Sequence, residues 1–230
     1  MNSIIAIFIK QVQDILKNKG VLLQAITFPT MAFVLTNFVD LPHDIPDSMF
    51  ISLFAIMFIG LVLISNSATI IAEDRERKSL RFLMMAGVKS YQYLMGVGGV
   101  LLIFALTVGS LFAIMMPGFS LMERIIFLGS LMLGAVASIF LGAIVGMLAK
   151  NEQSSISLSM TAGMIMGFGP MIAAFNETTG RMFSIFYTMN FIYYFGEHSN
   201  ITRSISVILI NIAVLAVLFA WVYGKRGLRA

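Results

Sequence analysis

Charged residues punctuate this chain so sparsely that the intervals between them outline its architecture. Reading from one Asp, Glu, Lys or Arg to the next gives six uninterrupted stretches, at 20–39 (20 residues), 48–72 (25), 90–122 (33), 125–149 (25), 153–176 (24) and 204–224 (21). A helix crossing ~30 Å of hydrocarbon at ~1.5 Å per residue needs about 20 apolar residues, because no water is present there to satisfy its backbone. Six spans are therefore predicted, at about 20–39, 49–72, 93–116, 125–148, 154–175 and 204–223. A seventh run, 182–196, has 15 residues, which is short for a crossing and suits a re-entrant or interfacial element.

The first nineteen residues read differently. Ile5, Phe8, Ile9, Val12 and Leu16 recur at three- and four-residue steps, with Lys10, Asp14 and Lys17 on the opposite face. That pattern predicts an amphipathic helix lying at the membrane surface. Its positive charges follow the apolar positions, the reverse of a signal peptide. The expected fold is an all-α integral membrane protein forming one transmembrane domain over 1–230. It has an N-terminal interfacial helix, six transmembrane helices, a cytoplasmic segment at 73–92, and short external re-entrant or interfacial helices at 176–203 before the last span. Pro29 and Pro170 fall inside spans, while Pro117 ends the third.

Composition agrees and removes other classes. Hydrophobic residues make up 59% and charged residues 11%, with a mean hydropathy of +0.93, against roughly 25% charged in soluble domains. A soluble enzyme and a disordered chain are both excluded. Cys is absent, which excludes disulfides, thiol catalysis and thiolate metal sites. The net charge of +4 (15 basic, 11 acidic) would suggest nucleic acid in a soluble domain, but its placement says otherwise. Six spans put both termini on one side, and twelve of the fifteen basic residues lie there; only Arg124, Arg181 and Arg203 lie on the other. The positive-inside rule then predicts cytoplasmic termini in a multi-pass protein of the cell membrane, with the lipid bilayer as partner and no nucleic acid.

Catalytic chemistry is scarce. His43 and His198, with Asp40, Asp44, Asp47 and Glu197, could be drawn as a metal site, but solvated external loops explain them as well, and no metal or cofactor is assigned to this chain. No phosphate-binding G-x-x-x-x-G-K-[ST] motif occurs, since Gly224-Lys225 lacks its flanking residues. None of the charge-free runs places an ionisable group at mid-membrane, as proton-coupled carriers do. Uncharged polar residues occur at Ser65, Asn66, Ser67 and Thr69, at 154–161, and at Asn211; helix-to-helix hydrogen bonding is their simplest use. Gly142 with Gly146, and Gly163 with Gly167, would let helices approach closely.

The most informative segment follows the second span. Glu73, Asp74, Arg75, Glu76, Arg77 and Lys78 form a charge run, after which Leu80, Leu83 and Met84 recur at helical spacing beside Phe82. They predict a short amphipathic helix ending near Gly87, a natural C-cap.

Residues 73–89, EDRERKSLRFLMMAGVK, resemble the first cytoplasmic loop of ABC type-2 transporter permeases. There, mixed charges precede Gly-Thr-Leu-Glu, apolar residues and Thr-Pro. Here Lys78 and Ser79 stand where Gly-Thr is usual, Arg81 replaces the Glu, and Gly87 replaces the Pro. Residues 141–155, LGAIVGMLAKNEQSS, are similar to that family's fourth-span ending, and the terminal WVYGKRGLRA resembles its aromatic-then-basic tail.

The resemblance implies a non-catalytic transport subunit of an exporter that pairs with a second permease subunit, identical or not. Separate nucleotide-binding ATPase subunits, which hold ATP and Mg, would drive it. Carried over, Glu73, Glu76 and Arg77 would brace the loop, and Leu80, Phe82, Leu83 and Met84 would seat in the ATPase, with Gly87 closing the helix. Lys150, Asn151 and Glu152 would form a second contact. Phe183, Phe186, Tyr187, Phe191, Tyr193 and Tyr194 would form an external gate. A cavity rich in Phe and Met would suit a hydrophobic or amphipathic cargo such as a peptide, lipid or drug. A non-transporting sensor or assembly factor using the same loop, and an ABC-type sodium exporter subunit, stay open as alternatives. A membrane-embedded enzyme lacks the intramembrane His, Asp or Glu it would need.

Overall fold

The computed structural model of the chain describes residues 3–39, 48–174, 177–193 and 201–226, and among these there is no strand. Among the described residues, six helices are long and apolar enough to cross a membrane. In chain order the elements are α1 (Ser3–Lys17), α2 (Lys19–Phe38), α3 (Met49–Met57), a π-helical segment (Phe58–Leu63), α4 (Ile64–Glu76), α5 (Ser79–Met85), α6 (Ser90–Met115), α7 (Leu121–Leu148), α8 (Glu152–Ala174), α9 (Glu177–Phe183), α10 (Tyr187–Tyr193) and α11 (Ile201–Arg226). The number of long apolar helices matches the six expected spans, while several run past the expected bounds: α6 and α11 begin three residues earlier and α7 four. The second span continues through Glu76, four residues past the predicted boundary, because its terminal charges find partners inside the protein. Its middle also widens into the π segment, which periodicity does not signal.

Chain breaks follow local chemistry. Asn18 separates α1 from α2, its side chain accepting the N–H groups of Gly20 (3.0 Å) and Val21 (3.2 Å). At the start of α7, Ser120 and Glu123 form a reciprocal capping box. Gly87, with φ of 82°, takes the left-handed position after α5, and Val88 N–H bonds Leu83 C=O at 3.0 Å. The expected C-cap is therefore present.

Lipid tails are as apolar as leucine, so burying apolar area cannot by itself hold such helices together; close backbone approach must contribute. Both glycine pairs serve this purpose, and both grip the same helix. A Cβ at Gly142 or Gly146 of α7 would run into the carbonyls of Ile64 and Ala68 on α4. Across the π segment, a Cβ on Gly60 would stand 2.6 Å from the backbone N of Gly167, and one on Gly163 3.0 Å from the carbonyl O of Gly60. Ser67 Oγ adds a buried bond to Ile139 O at 2.8 Å between α4 and α7. Two apolar clusters fill the remaining space: one around Phe58, Phe112 and Phe127, the other around Ile71, Leu80, Tyr93 and Tyr223.

The N-terminal helix is not laid passively along the surface. Ile7, Gln11 and Ile15 form its buried stripe, and Ile7 covers Gly96 of α6 while Phe8 covers Gly99. Ile5, Ile9 and Leu16, three of the five apolar positions picked out by spacing, are exposed beside that stripe and free to meet lipid.

Gly146→Leu should force α7 off α4 and cost ~1–3 kcal/mol. Gly129→Leu, at a position with nothing within 4 Å of an added Cβ, should be neutral. Thermal melting of the detergent-solubilised variants, followed by size-exclusion chromatography, measures the difference.

Candidate functional site

At the end of the bundle where α4 stops, two loops are tied to its last turn. Asp74, whose side chain is 4% exposed, is the centre of the first knot. Its carboxylate accepts from Lys10 Nζ of α1 (2.6 Å), Ser79 Oγ at the start of α5 (2.8 Å) and Tyr93 OH of α6 (2.8 Å). One carboxylate thus joins four helices. A buried charge is costly unless it is paired and its lone pairs are filled, and here three donors fill them. Lys10 is half-exposed, so its ammonium reaches the carboxylate while remaining hydrated.

The second knot ties the α7–α8 loop. Arg75 Nη1 points at the carbonyls of Gly146, Met147 and Ala149 at 3.0, 2.9 and 2.8 Å, a cation on the carbonyl end of a helix. Glu76 accepts the Glu152 N–H at 2.8 Å, placing a carboxylate at the amino end of α8. Asn151 is the N-cap of that helix, its Oδ1 accepting the Ser154 N–H at 2.8 Å. The two loops singled out by sequence, 73–89 and 150–152, therefore form one continuous surface.

Between them lies a hollow of about 270 Å³ bordered by Arg75, Glu76, Lys78, Lys150 and Asn151. Its rim includes Lys78, a non-glycine residue at φ of 60°.

The predicted contact residues separate by burial. Leu80 is fully buried in the cluster with Ile71 and Tyr93, so it anchors α5 to the bundle. Leu83 is half-buried against the same cluster. Phe82 is 66% exposed, and Met85, which the spacing did not pick out, is 61% exposed. The backbone of Met84 lies within α5, but its side chain lies outside the described residues. Glu73 and Arg77 pair with each other at 2.7 Å on the helix surface. An exposed pair of this kind contributes little, so the bracing expected of them falls chiefly to Asp74, Arg75 and Glu76. Asp74 and Arg75 had a detectable signal: opposite charges in the last turn of an otherwise apolar helix must find partners as that turn leaves the hydrocarbon.

At the other end, the segment expected to form a gate folds into α9 and α10. Tyr187 is buried and shares a 2.7 Å hydrogen bond with Ser138 of α7. Asn211 Nδ2 donates to Ile185 O at 2.9 Å, and Asn190 Nδ2 to Ser184 O at 2.7 Å. Asn211 is ten residues into α11, about 15 Å along its axis, and Ser138 is seventeen residues into α7, about 25 Å along. The α9–α10 connection therefore lies well inside the length of the bundle. Phe183 packs on Gly169, with its ring 5.5 Å from that of Phe186. Tyr187 is thus an anchor, and Phe183 and Phe186 are half-buried beside it. Of Phe191 and Tyr193 only the backbone is described. Tyr194 lies outside the described residues, as do His43, His198 and the acidic residues near them.

Six long apolar helices among the described residues, joined by glycine contacts, with the Asp74 and Arg75 knots at one end and Arg124 on the carbonyls of Ile114, Met116 and Phe119 at the other, define a multi-pass helical membrane protein. The profile of the ABC-2 family transporter proteins matches residues 3–223, and the chain belongs to that family. It is accordingly a membrane permease subunit of an ABC transporter, a class that works with an ATPase partner and in pairs. No curated protein matches the chain.

Asp74→Ala would strand the buried Tyr93 hydroxyl without an acceptor, at a cost of ~1–3 kcal/mol, and remove the carboxylate that Lys10 pairs with, while Ser79 Oγ keeps the backbone carbonyl of residue 74 at 2.9 Å. Trypsin should then cut after Arg77 and Lys78 faster than in the wild-type protein, with Asp74→Asn between the two.

Proposed function

We propose that this chain is the membrane gate of an ATP-driven exporter, worked through α5 by a separate ATPase. One observation carries the reading: α5 presents Phe82 and Met85 outward while Leu80 and the Ser79–Asp74 bond fasten it to the bundle. Apolar side chains exposed at the charged end of a membrane helix bundle mark a docking surface. Force applied there passes through Asp74 to α1, α4 and α6 at once. The Arg75 and Glu76 contacts carry it to α7 and α8. Such a displacement moves packed helices as rigid bodies, which changes access between the two membrane faces.

In this reading both termini are cytoplasmic, and the α9–α10 hairpin re-enters the membrane from outside as a plug. ATP and Mg are held by the partner, and two permease subunits enclose the path. The cargo is hydrophobic or amphipathic. An apolar groove of about 430 Å³ between α6, α7 and α11, walled by Met95, Leu102, Phe140 and Phe219 among others and by no charged residue, supports that choice.

The natural absence of Cys makes orientation directly measurable. A Phe82→Cys variant should react with a membrane-impermeant maleimide only after the cells are opened; labelling of intact cells would reject the assignment. Phe82→Asp should assemble normally in the membrane and lose co-purification of the ATPase, whereas undiminished recovery would show that α5 is not the docking element.

A further inference from the structure

We infer that the hollow between the two loops is a receptor for a carboxylate side chain of the ATPase subunit, held by the ammonium groups of Lys78 and Lys150; this rests on the proposed coupling role of α5. The other polar groups of the hollow are committed internally. Arg75 serves the carbonyls of α7, Glu76 the N–H of Glu152, and Asn151 the N–H of Ser154. Lys78 and Lys150 are exposed, and neither is in an ion pair among the described residues. Two lysines and one carboxylate, Glu76, therefore line an opening of about 270 Å³, with Arg75 beside them, leaving its lining net positive.

The backbone gives an independent reason. Lys78 is held at φ of 60°, where a residue with a Cβ costs roughly 1–2 kcal/mol and glycine costs nothing. Backbone strain of this kind persists where the side chain is needed. What lysine offers over glycine here is its ammonium at the rim.

The site is also placed for a protein partner. It opens beside α5 and its exposed Phe82, so an acidic side chain next to an apolar pocket on the ATPase would engage both at once. Because the hollow spans the α4–α5 and α7–α8 loops, one carboxylate would cross-link them from below. Its attraction would set the register of docking, a role that exposed charges fill through complementarity.

The test uses the full chain in nanodiscs of zwitterionic phosphatidylcholine, titrated with the ATPase subunit that co-purifies with it from native membranes. Lys78→Glu/Lys150→Glu should weaken binding about tenfold or more at low salt, with Lys78→Gln/Lys150→Gln intermediate. The gap should close near ~1 M salt, where the screening length falls to about 3 Å. Melting temperatures matching wild type for the Gln pair confirm that folding is intact. Unchanged affinity in both Lys variants, with binding abolished by Phe82→Asp, overturns the receptor and leaves the coupling role standing. Unchanged affinity in all three overturns both. A defect seen only in discs containing anionic phosphatidylglycerol also overturns it, because the hollow would then hold a lipid headgroup.

Discussion

Backbone-to-backbone contact along the helix running from Met49 to Glu76 is the constraint on which the rest of this protein depends. In hydrocarbon, helices gain little from burying leucine against leucine, so what holds them is surface brought within dispersion range and the few hydrogen bonds they can share. Gly142 and Gly146 of α7 lie on one part of that helix, and Gly60, Gly163 and Gly167 bring α8 onto another. The second span thereby becomes the shaft around which its neighbours are set. Its wide π turn lies where α8 comes closest, at Gly60.

At one end of this shaft three consecutive charged residues bind the neighbouring helices. Asp74, Arg75 and Glu76 follow one another on the last turn of α4, so helical geometry sends them in three directions. Asp74 collects α1, α5 and α6; Arg75 takes the end of α7; Glu76 takes the start of α8. Each bond satisfies a group that would otherwise be stranded at a helix end or buried with its charge uncompensated. The same interactions that stabilise this end also tie its helices into one unit.

The opposite end is built by a different economy of polar groups. Asn190 and Asn211 hold the carbonyls of the turn between α9 and α10, and Tyr187 finds Ser138. Irregular backbone packed among helices needs protein partners for its carbonyls, and the two Asn side chains supply them, while Tyr187 pins α10 to α7. Asn211 read in sequence as a helix-to-helix contact, and its bond to Ile185 fits that use. Its partner, Ile185 in the turn just before α10 and 26 residues back along the chain, carried no sequence signal of its own.

Chain length, charge spacing and the 3.6-residue period determined the helical class, the six spans and the location of α5, because hydrocarbon admits only long charge-free helices and each residue's share of that rule is local. Gly87 was readable for the same reason, since a left-handed C-cap is a property of a few adjacent residues. Which side chain meets which was left to tertiary structure. Leu80 and Phe82 are equally apolar in sequence, yet one is core and the other surface, because only the position of α6 and Tyr93 decides which face of α5 is covered. The stripe that α1 buries is Ile7, Gln11 and Ile15 and not its most hydrophobic one, because Gly96 of a distant helix leaves the space for Ile7. Asp74 looked like one charge in a run of six. It became the junction of four helices only when Lys10, Ser79 and Tyr93, sixty-four, five and nineteen residues away along the chain, were brought within hydrogen-bond reach by packing.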